Sequence, residues 1–191
     1  MAEQSALPPA LYLPQFFSSD ESTLFFQNLQ TEISWKHEPI TMFGKKVMQP
    51  RLTALYGNAD KPYRYSGHTM APLEWTETLL KIKRRIEPLA KAEFTTVLLN
   101  LYRNQSDGMG WHRDNERELG PTPIIGSVSF GATRTFQMRR YVGKTGKIDF
   151  ELEHGSLLVM RDDSQQNWEH AVPRRARSIG PRINLTFRVL L

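Results

Sequence analysis

The chain has 191 residues, of which 39% are hydrophobic and 24% charged, and it contains no cysteine. This length and composition fit one globular domain with a buried core, and the missing cysteines exclude disulfides, thiolate metal sites and a cysteine nucleophile. The formal net charge of +5 at pH 7 fits a polyanionic partner such as nucleic acid about as well as it fits a merely soluble basic protein.

The N-terminal region predicts neither a membrane segment nor a signal peptide. No apolar run is long enough to cross a bilayer, and the first residues lack the basic region of a signal peptide. Pro8, Pro9 and Pro14 interrupt the short apolar stretch that is present. We therefore expect residues 1–17 to be a lead-in segment, and we expect no membrane contact.

The first predicted helix covers residues 19–33. Ser18 and Glu21 have the spacing of a capping box, and Phe25, Leu29 and Ile33 recur at helical spacing. This apolar stripe is typical of a core-facing helix, so we assign it no chemistry.

Residues 38–66 contain two candidate surfaces for a nucleic acid. Residues 40–47 predict a strand, a turn at Gly44 and a second strand, with Met42 and Phe43 near the tip. Phe43 either folds back into the core, which the sequence alone favours, or enters a base stack as a wedge while the adjacent lysines meet phosphates. Further on, Tyr63 and Tyr65 share one face of an extended segment, where they either stack a base or form a buried pair.

A second amphipathic helix is predicted for residues 74–89. Its apolar positions keep helical spacing, while the opposite face carries Lys81, Lys83, Arg84 and Arg85. A basic face of this kind is usually solvated, and contact with nucleic acid is the less favoured interpretation.

From residue 94 onward the pattern changes to short, β-rich apolar segments separated by turn residues. The predicted strands are Phe94–Arg103, Ile124–Phe130, Thr135–Met138, Ile148–Leu152, Ser156–Met160 and Arg182–Leu190. Such a series predicts an α+β, mainly β fold, namely a jelly roll with the two helices packed on one sheet. We expect a single domain, 1–191, made of the lead-in, a helical and nucleotide-recognition region at 18–92 and a catalytic jelly roll at 93–191.

One short motif carries the predicted metal chemistry. His112 and Asp114 are two residues apart, so in an extended segment they point to the same side. With His170 as a third ligand they would form the two-histidine, one-carboxylate facial triad of non-haem Fe(II) oxygenases, which leaves three positions open. An H-x-D pair alone is more often structural, so the assignment depends on the motifs that follow.

The last strand alternates between an apolar and a polar face. Arg182, Asn184, Thr186 and Arg188 share one face, which either meets solvent or forms a polar groove for a small dianion, since arginine grips carboxylates with two parallel hydrogen bonds. The two arginines lie roughly 20 Å apart along a strand, so we expect them to serve different ends of a ligand, or one of them to support the metal. Asn100 and Tyr102 share a face of an earlier strand and would complete such a pocket.

The motifs together resemble the AlkB family of Fe(II)- and 2-oxoglutarate-dependent dioxygenases. They are N-x-Y, W-H-x-D, S-V-S-F-G-A-T-R-T-F, H-G-S-L-L, W-x-H and P-R-I-N-L-T-F-R, in that order along the chain. The resemblance runs from about residue 43 to residue 190 and is shared between homologues that act on duplex DNA and one that prefers single strands. It implies a double-stranded β-helix, which agrees with the jelly roll expected from the strand pattern.

The resemblance also implies roles for the pocket residues. The implied iron ligands are His112, Asp114 and His170. The residues implied around 2-oxoglutarate are Asn100, Tyr102, Arg182, Asn184, Thr186 and Arg188. In that set Arg182 pairs with the distal carboxylate near Tyr102, while Asn100 and the catalytic Arg188 lie around the metal-chelating end.

For the substrate, the resemblance implies a finger at Met42, Phe43 and Gly44, beside Lys45, that fills the gap left by a flipped base. It implies a lid at Tyr63, Arg64 and Tyr65, and Arg113 between the two ligands fits the family. Asn115 departs from the pattern of the duplex-acting homologue, which has a second aspartate there, so the preferred base could differ.

The activity implied by the resemblance is oxidative dealkylation of 1-methyladenine and 3-methylcytosine in DNA. It would consume Fe(II)-activated O2 and 2-oxoglutarate and release aldehyde, succinate and CO2. The alternatives are a dioxygenase of the same fold acting on RNA, protein or a small molecule, and a non-catalytic nucleic-acid binder. We expect a monomer that is cytoplasmic or nucleoid-associated in a bacterium and nuclear in a eukaryote.

Overall fold

The computed structural model describes residues 7–42, 45–60, 63–65 and 68–191. The helices are α1 (Ser19–Glu32), α2 (Glu77–Ala90) and the short α3 (Ser164–Asn167), with a 3-10 turn at Arg117–Leu119. In chain order the strands are β1 (Ala10–Leu13), β2 (Pro39–Met42), β3 (Lys45–Met48), β4 (Leu52–Gly57), β5 (Tyr63–Tyr65), β6 (His68–Met70), β7 (Thr96–Tyr102), β8 (Met109–His112), β9 (Ile125–Gly131), β10 (Arg134–Arg140), β11 (Ile148–Leu152), β12 (Ser156–Met160), β13 (Trp168–Val172) and β14 (Arg182–Arg188). Within these described ranges, no helix is long and apolar enough to span a membrane.

Two antiparallel sheets form the body of the molecule. The major sheet has six strands in the order β1-β12-β9-β14-β7-β4, and the minor sheet has four in the order β11-β10-β13-β8. Apart from the consecutive strands β10 and β11, neighbouring strands are distant in sequence, as in a jelly roll. The predicted fold class is therefore confirmed.

The outer face of the major sheet is covered by both long helices. Phe25 and Leu29 of α1 and Ile82 and Ile86 of α2 belong to one buried cluster with the apolar face of the sheet. The strand residues of that cluster include Val97, Leu99, Val128, Phe130, Leu157, Val159, Ile183, Leu185 and Phe187. A second cluster, which includes Tyr102, Phe136 and Met160, lies on the inner face, toward the minor sheet.

Helix α1 begins where the capping box predicts. The Ser18 side chain accepts a hydrogen bond from the main-chain N–H of Glu21 at 3.3 Å, and the Glu21 carboxylate accepts one from the N–H of Ser18 at 3.1 Å. Helix α2 begins three residues later than predicted, because Thr76 caps it through a bond from the N–H of Leu79. Trp75 lies just outside the helix and stacks on Phe187, with the ring planes 6° apart.

The basic face of α2 is largely occupied by ion pairs. Lys83 pairs with Glu87 at 2.7 Å, and Arg85 reaches Glu21 of α1 at 2.8 Å. These pairs support the interpretation of the face as a solvated helix surface.

Strands β1 and β4 were not predicted. Strand β1 falls inside the expected lead-in, yet it pairs with β12 in register from Ala10 opposite Met160 to Leu13 opposite Leu157. Strand β4 extends the sheet on the other side by pairing with β7. Both owe their conformation to partners that are far away in sequence, which a local pattern does not reveal.

Two small ribbons lie outside both sheets. Strands β2 and β3 pair with Met42 opposite Lys45, which confirms the predicted strands on either side of the turn. Strands β5 and β6 form the second ribbon, so Tyr63, Arg64 and Tyr65 do lie on an extended segment. Phe43 and Gly44 lie outside the described residues. All four residues of β3 are exposed.

Candidate active site

The three predicted metal ligands meet at one point of the inner cavity. His112 ends β8 and lies directly opposite His170 of β13, where the register of this strand pair becomes irregular. Their ring centroids are 4.2 Å apart, and Asp114 Oδ1 lies 3.7 Å from His112 Nε2. One ligand atom from each of the three residues lies within 4.8 Å of the others. The distances and the donor types suit a first-row divalent metal ion.

Arg188 orients the carboxylate of this triad. Its guanidinium donates from Nη2 at 2.6 Å and from Nε at 3.2 Å to Asp114 Oδ2, so that Oδ1 faces the histidines. The main-chain N–H of Asp114 donates to Gln165 Oε1 at 3.0 Å. Burial opposes ionisation of Asp114, but the charge and the hydrogen bonds of Arg188 outweigh it and hold the pKa of this carboxyl well below its ordinary value. Asp114 is therefore a carboxylate at neutral pH.

The orientation and protonation state of both histidines suit metal binding. His112 Nδ1 donates to the carbonyl of Gly110 at 2.9 Å, which leaves Nε2 as the lone-pair nitrogen on the side of Asp114. His170 is 4% exposed and stacks against Phe136 at 5.1 Å. Burial lowers the pKa of His112, and burial together with His112 lowers that of His170 to about 3. Both rings are thus neutral at pH 7, as ligation requires.

The polar face of β14 forms one wall of the cavity. Arg182 lies opposite Tyr102, and Asn184 lies opposite Asn100, on the neighbouring strand β7. All the predicted co-substrate residues line this one cavity: Asn100, Tyr102, Arg182, Asn184, Thr186 and Arg188, together with the triad. The structure therefore brings the two groups of residues together.

Arg182 marks the end of the cavity away from the triad. It is 1% exposed and donates from Nη2 to Ser129 Oγ at 2.9 Å, while Nε and Nη1 have no hydrogen-bond partner among the described residues. Two buried guanidinium nitrogens without acceptors are costly, and a carboxylate supplies matching acceptors for them. The donor set consequently fits a metal at one end and an acidic co-substrate at the other.

The middle of the wall is an internal hydrogen-bond network. Asn184 donates to Ser127 Oγ at 2.9 Å and to the carbonyl of Val128 at 3.1 Å, and it accepts from Thr186. Asn100 accepts from the buried Arg51 at 2.8 Å. These bonds fix the shape of the pocket between its two charged ends.

Four residues of the site were missed at the level of sequence: Arg51, Ser127, Ser129 and Gln165. Ser127 and Ser129 share a face of β9, which neighbours β14, and the S-V-S alternation was a usable signal. Arg51 and Gln165 carry no such signal, because they reach the site from a bend and a short helix.

Of the predicted substrate residues, Arg113, Asn115 and Lys45 have side chains that the structure describes. The Arg113 guanidinium stacks 3.6 Å from the ring centroid of Tyr141 and donates to the carbonyl of Gln166. Asn115 is exposed directly after the buried Asp114, and Lys45 is exposed on β3.

Comparison with known proteins identifies the family. The sequence model of the 2OG-Fe(II) oxygenase superfamily matches residues 9–188. DNA oxidative demethylase ALKBH2 of Homo sapiens is 37% identical over 186 residues, which cover 92% of this chain and 71% of the relative. The chain belongs to the AlkB family of 2OG-Fe(II) oxygenases. Membership confirms the resemblance read from the motifs and assigns Fe(II), 2-oxoglutarate and O2 to the site.

Other AlkB relatives extend this result. Alpha-ketoglutarate-dependent dioxygenase alkB homolog 3 of Bos taurus is 41% identical over 186 residues, which cover 93% of this chain. The chain spans 64% of that relative's length. A solved structure described as "The structure of OsALKBH1" superposes with a TM-score of 0.65 over 97% of this chain and all of the other, at 22% identity, which supports the AlkB fold.

Proposed function

We propose that this protein removes alkyl groups oxidatively from bases of DNA, with 1-methyladenine and 3-methylcytosine as substrates. One observation supports the proposal above all: a His-Asp-His cluster and a buried guanidinium with two nitrogens that lack protein acceptors lie at opposite ends of a single cavity. The chain that carries this cavity is 37% identical to a protein named DNA oxidative demethylase.

The chemistry divides between the cofactors and the chain. When bound, the metal supplies oxidation of the N-alkyl carbon by O2, while 2-oxoglutarate is converted to succinate and CO2 and the alkyl carbon leaves as an aldehyde. His112, Asp114 and His170 would hold the metal, and Arg188 keeps the carboxylate ionised and turned toward it. Arg182 would bind the distal carboxylate of 2-oxoglutarate. The apolar lining, which includes Leu98 and Phe136, limits the access of water.

The described surface offers features that suit a polyanion. The β2–β3 ribbon belongs to neither of the two main sheets. Its strand β3 exposes two lysines followed by Val47 and Met48, which are each 47% exposed. Apolar side chains beside cations on such a ribbon are typical of elements that enter a base stack while binding phosphates. The net charge of +5 adds a general attraction.

Lesions that block base pairing suit an enzyme that must extract its substrate. Moving a base out of a duplex costs a few kcal/mol, and the cost is lowest for a base that pairs badly. A methyl group on the pairing edge of adenine or cytosine has this effect. The proposed substrates are therefore the easiest ones to bring to the buried triad.

The decisive experiment loads the purified chain anaerobically with Fe(II) and 2-oxoglutarate, then adds air and a 1-methyladenine oligonucleotide. Single-stranded DNA, duplex DNA and RNA of the same sequence are compared, with an unmethylated oligonucleotide as control. We expect the methylated DNA to lose the mass of one CH2 group and to release formaldehyde. Asp114→Asn should abolish both signals, whereas the exposed Asp149→Asn should not.

Two results would contradict the proposal. If succinate forms but the DNA loses no mass, the assignment as an oxygenase stands and alkylated DNA is not the substrate. DNA binding without succinate or formaldehyde, unchanged by Asp114→Asn, would favour a non-catalytic binder.

A further inference from the structure

A second buried arginine lies behind the co-substrate end of the cavity. Arg134 begins β10, is 1% exposed and does not line the cavity. Its Nη2 donates to the main-chain carbonyls of Asp107 at 2.8 Å and Pro173 at 2.7 Å, and its Nη1 reaches the carbonyl of Asn104 at 3.4 Å. These acceptors are neutral, so the hydrogen bonds fix the position of the guanidinium, while the nearby Asp107 carboxylate offsets part of its charge.

Arg134 and Arg182 are held beside the same aromatic ring. The guanidinium carbon of Arg134 lies 5.6 Å from the ring centroid of Tyr102, and that of Arg182 lies 5.2 Å from it. The two positive charges are thus within about 11 Å of each other. The Asp107 carboxylate does not hydrogen-bond Arg134, because it accepts from Arg103 N, Nε and Nη2.

The contacts of Arg134 also tie together the segments around Tyr102. Asn104 and Asp107 belong to the turn that follows β7, the strand that ends at Tyr102, and Pro173 directly follows β13. A single side chain therefore links the turn, the end of the minor sheet and the ring that lines the pocket. This placement suggests a role in holding Tyr102 against Arg182.

We propose that Arg134 is a positioning residue that makes the pocket select a co-substrate with a second carboxylate, by fixing Tyr102 and by adding a buried positive charge behind Arg182. This inference rests on the proposed use of 2-oxoglutarate by this cavity. A unit charge about 12 Å away at an effective dielectric constant of about 20 changes a binding constant about tenfold. Loss of the Arg134 charge should weaken binding of a dicarboxylate by about that factor, and it should weaken binding of a monocarboxylate of equal chain length less, because the one remaining carboxylate lies farther away at the metal-binding end.

The test measures binding rather than turnover. The full chain is loaded with Mn(II) under anaerobic conditions, and calorimetry gives the Kd of 2-oxoglutarate and of 2-oxovalerate, which lacks the distal carboxylate. Arg134→Met removes the charge, and Arg134→Lys keeps it. Arg177→Met serves as the control, because Arg177 is an exposed arginine outside the contacts of Arg134.

We expect Arg134→Met to raise the Kd of 2-oxoglutarate about tenfold and to raise the Kd of 2-oxovalerate by a clearly smaller factor. Arg134→Lys should recover part of the loss, and it also serves as the test variant if Arg134→Met does not fold. Equal weakening of both oxo acids, or no change for either, would overturn the proposal. If the wild type does not bind 2-oxoglutarate more tightly than 2-oxovalerate, the proposed use of 2-oxoglutarate by this cavity is itself wrong.

Discussion

The Asp114–Arg188 contact is a fully buried ion pair, so each charge depends on the other for compensation. Both side chains are 3% exposed, and their charged atoms are 2.6 Å apart. Removing one member of a buried pair leaves the other charge buried without compensation, which typically costs about 3–5 kcal/mol. We expect Arg188→Met to lower the free energy of unfolding of the metal-free protein by about this amount at pH 7, measured by urea denaturation.

The effect of Arg188→Met should depend on pH with a definite sign. The pKa of Asp114 is lowered in the folded state, so its contribution is present above the unfolded value of about 3.9 and is lost as pH falls toward the folded value. The gap between wild type and variant should therefore shrink below about pH 4. The exposed Arg177→Met should show little effect at any pH, and an equal effect of both substitutions would contradict the role of the ion pair.

The lowered pKa values of the histidines predict how metal binding responds to pH. If both histidines had ordinary pKa values of about 6.5, the affinity for the metal would fall about tenfold between pH 8 and pH 6, because protons compete for the same nitrogens. His170 has a pKa of about 3, and that of His112 is also lowered. We expect the Kd of Co(II), followed by its visible absorption, to change by no more than about twofold over this range. A change of about fourfold would show that one histidine keeps an ordinary pKa, and a change of about tenfold or more would show that both do.

For single residues, the sequence predicted those whose role follows from their spacing along the chain. His112 and Asp114 stand two apart. The six-residue separation of Arg182 and Arg188 predicted that they serve different ends of a ligand or that one of them supports the metal, and the contact of Arg188 with Asp114 agrees with the second alternative. Arg51 could not be predicted, since its bond to Asn100 joins residues 49 positions apart in sequence. No pattern along the chain encodes such a contact.

Among the elements, β14 was the most predictable and β1 the least. Strand β14 has sheet neighbours on both sides and a different chemistry on each face, so its alternation is fully expressed in the sequence. Strand β1 is an edge strand of four residues whose conformation depends on β12. Strands that form on a distant template carry a weak local signal, which is why the lead-in was predicted in its place.

The β2–β3 ribbon supports a prediction about substrate form. Its strands pair with Met42 opposite Lys45, and all four residues of β3 are exposed. If Phe43 fills the gap left by a flipped base, Phe43→Ala should slow dealkylation of duplex DNA more than that of single strands, which have no stack to fill. The ratio of the two initial rates is the measurement.

The control for this ribbon is an apolar residue on another surface. Leu24 of α1 is 55% exposed, so Leu24→Ala removes a comparable apolar side chain far from the ribbon in sequence. It should leave the ratio of rates unchanged. Equal losses on duplex and single-stranded DNA in Phe43→Ala would show that the ribbon does not act as a wedge.

For the molecule as a whole, the jelly roll supplies a closed space between two sheets with different contributions. The minor sheet provides His112 and His170 on adjacent strands, and the major sheet provides both arginines of β14. The metal end is therefore organised mainly by one sheet and the co-substrate end by the other. A ligand that reaches from the triad to Arg182 must link the two sheets.

This arrangement predicts separable stabilisation by the two ligands. A ligand that binds only the folded chain raises the free energy of unfolding by about 2.7 kcal/mol at a hundred times its Kd. With Mn(II) followed by 2-oxoglutarate, urea denaturation should show two successive gains. Arg182→Met should keep the gain from Mn(II) and lose most of the gain from 2-oxoglutarate, because the two guanidinium nitrogens that lack protein acceptors are gone. His170→Ala should lose both gains. If Arg182→Met retained the full gain from 2-oxoglutarate, the buried guanidinium would not be the anchor of the co-substrate, and the two sheets would not be linked through it.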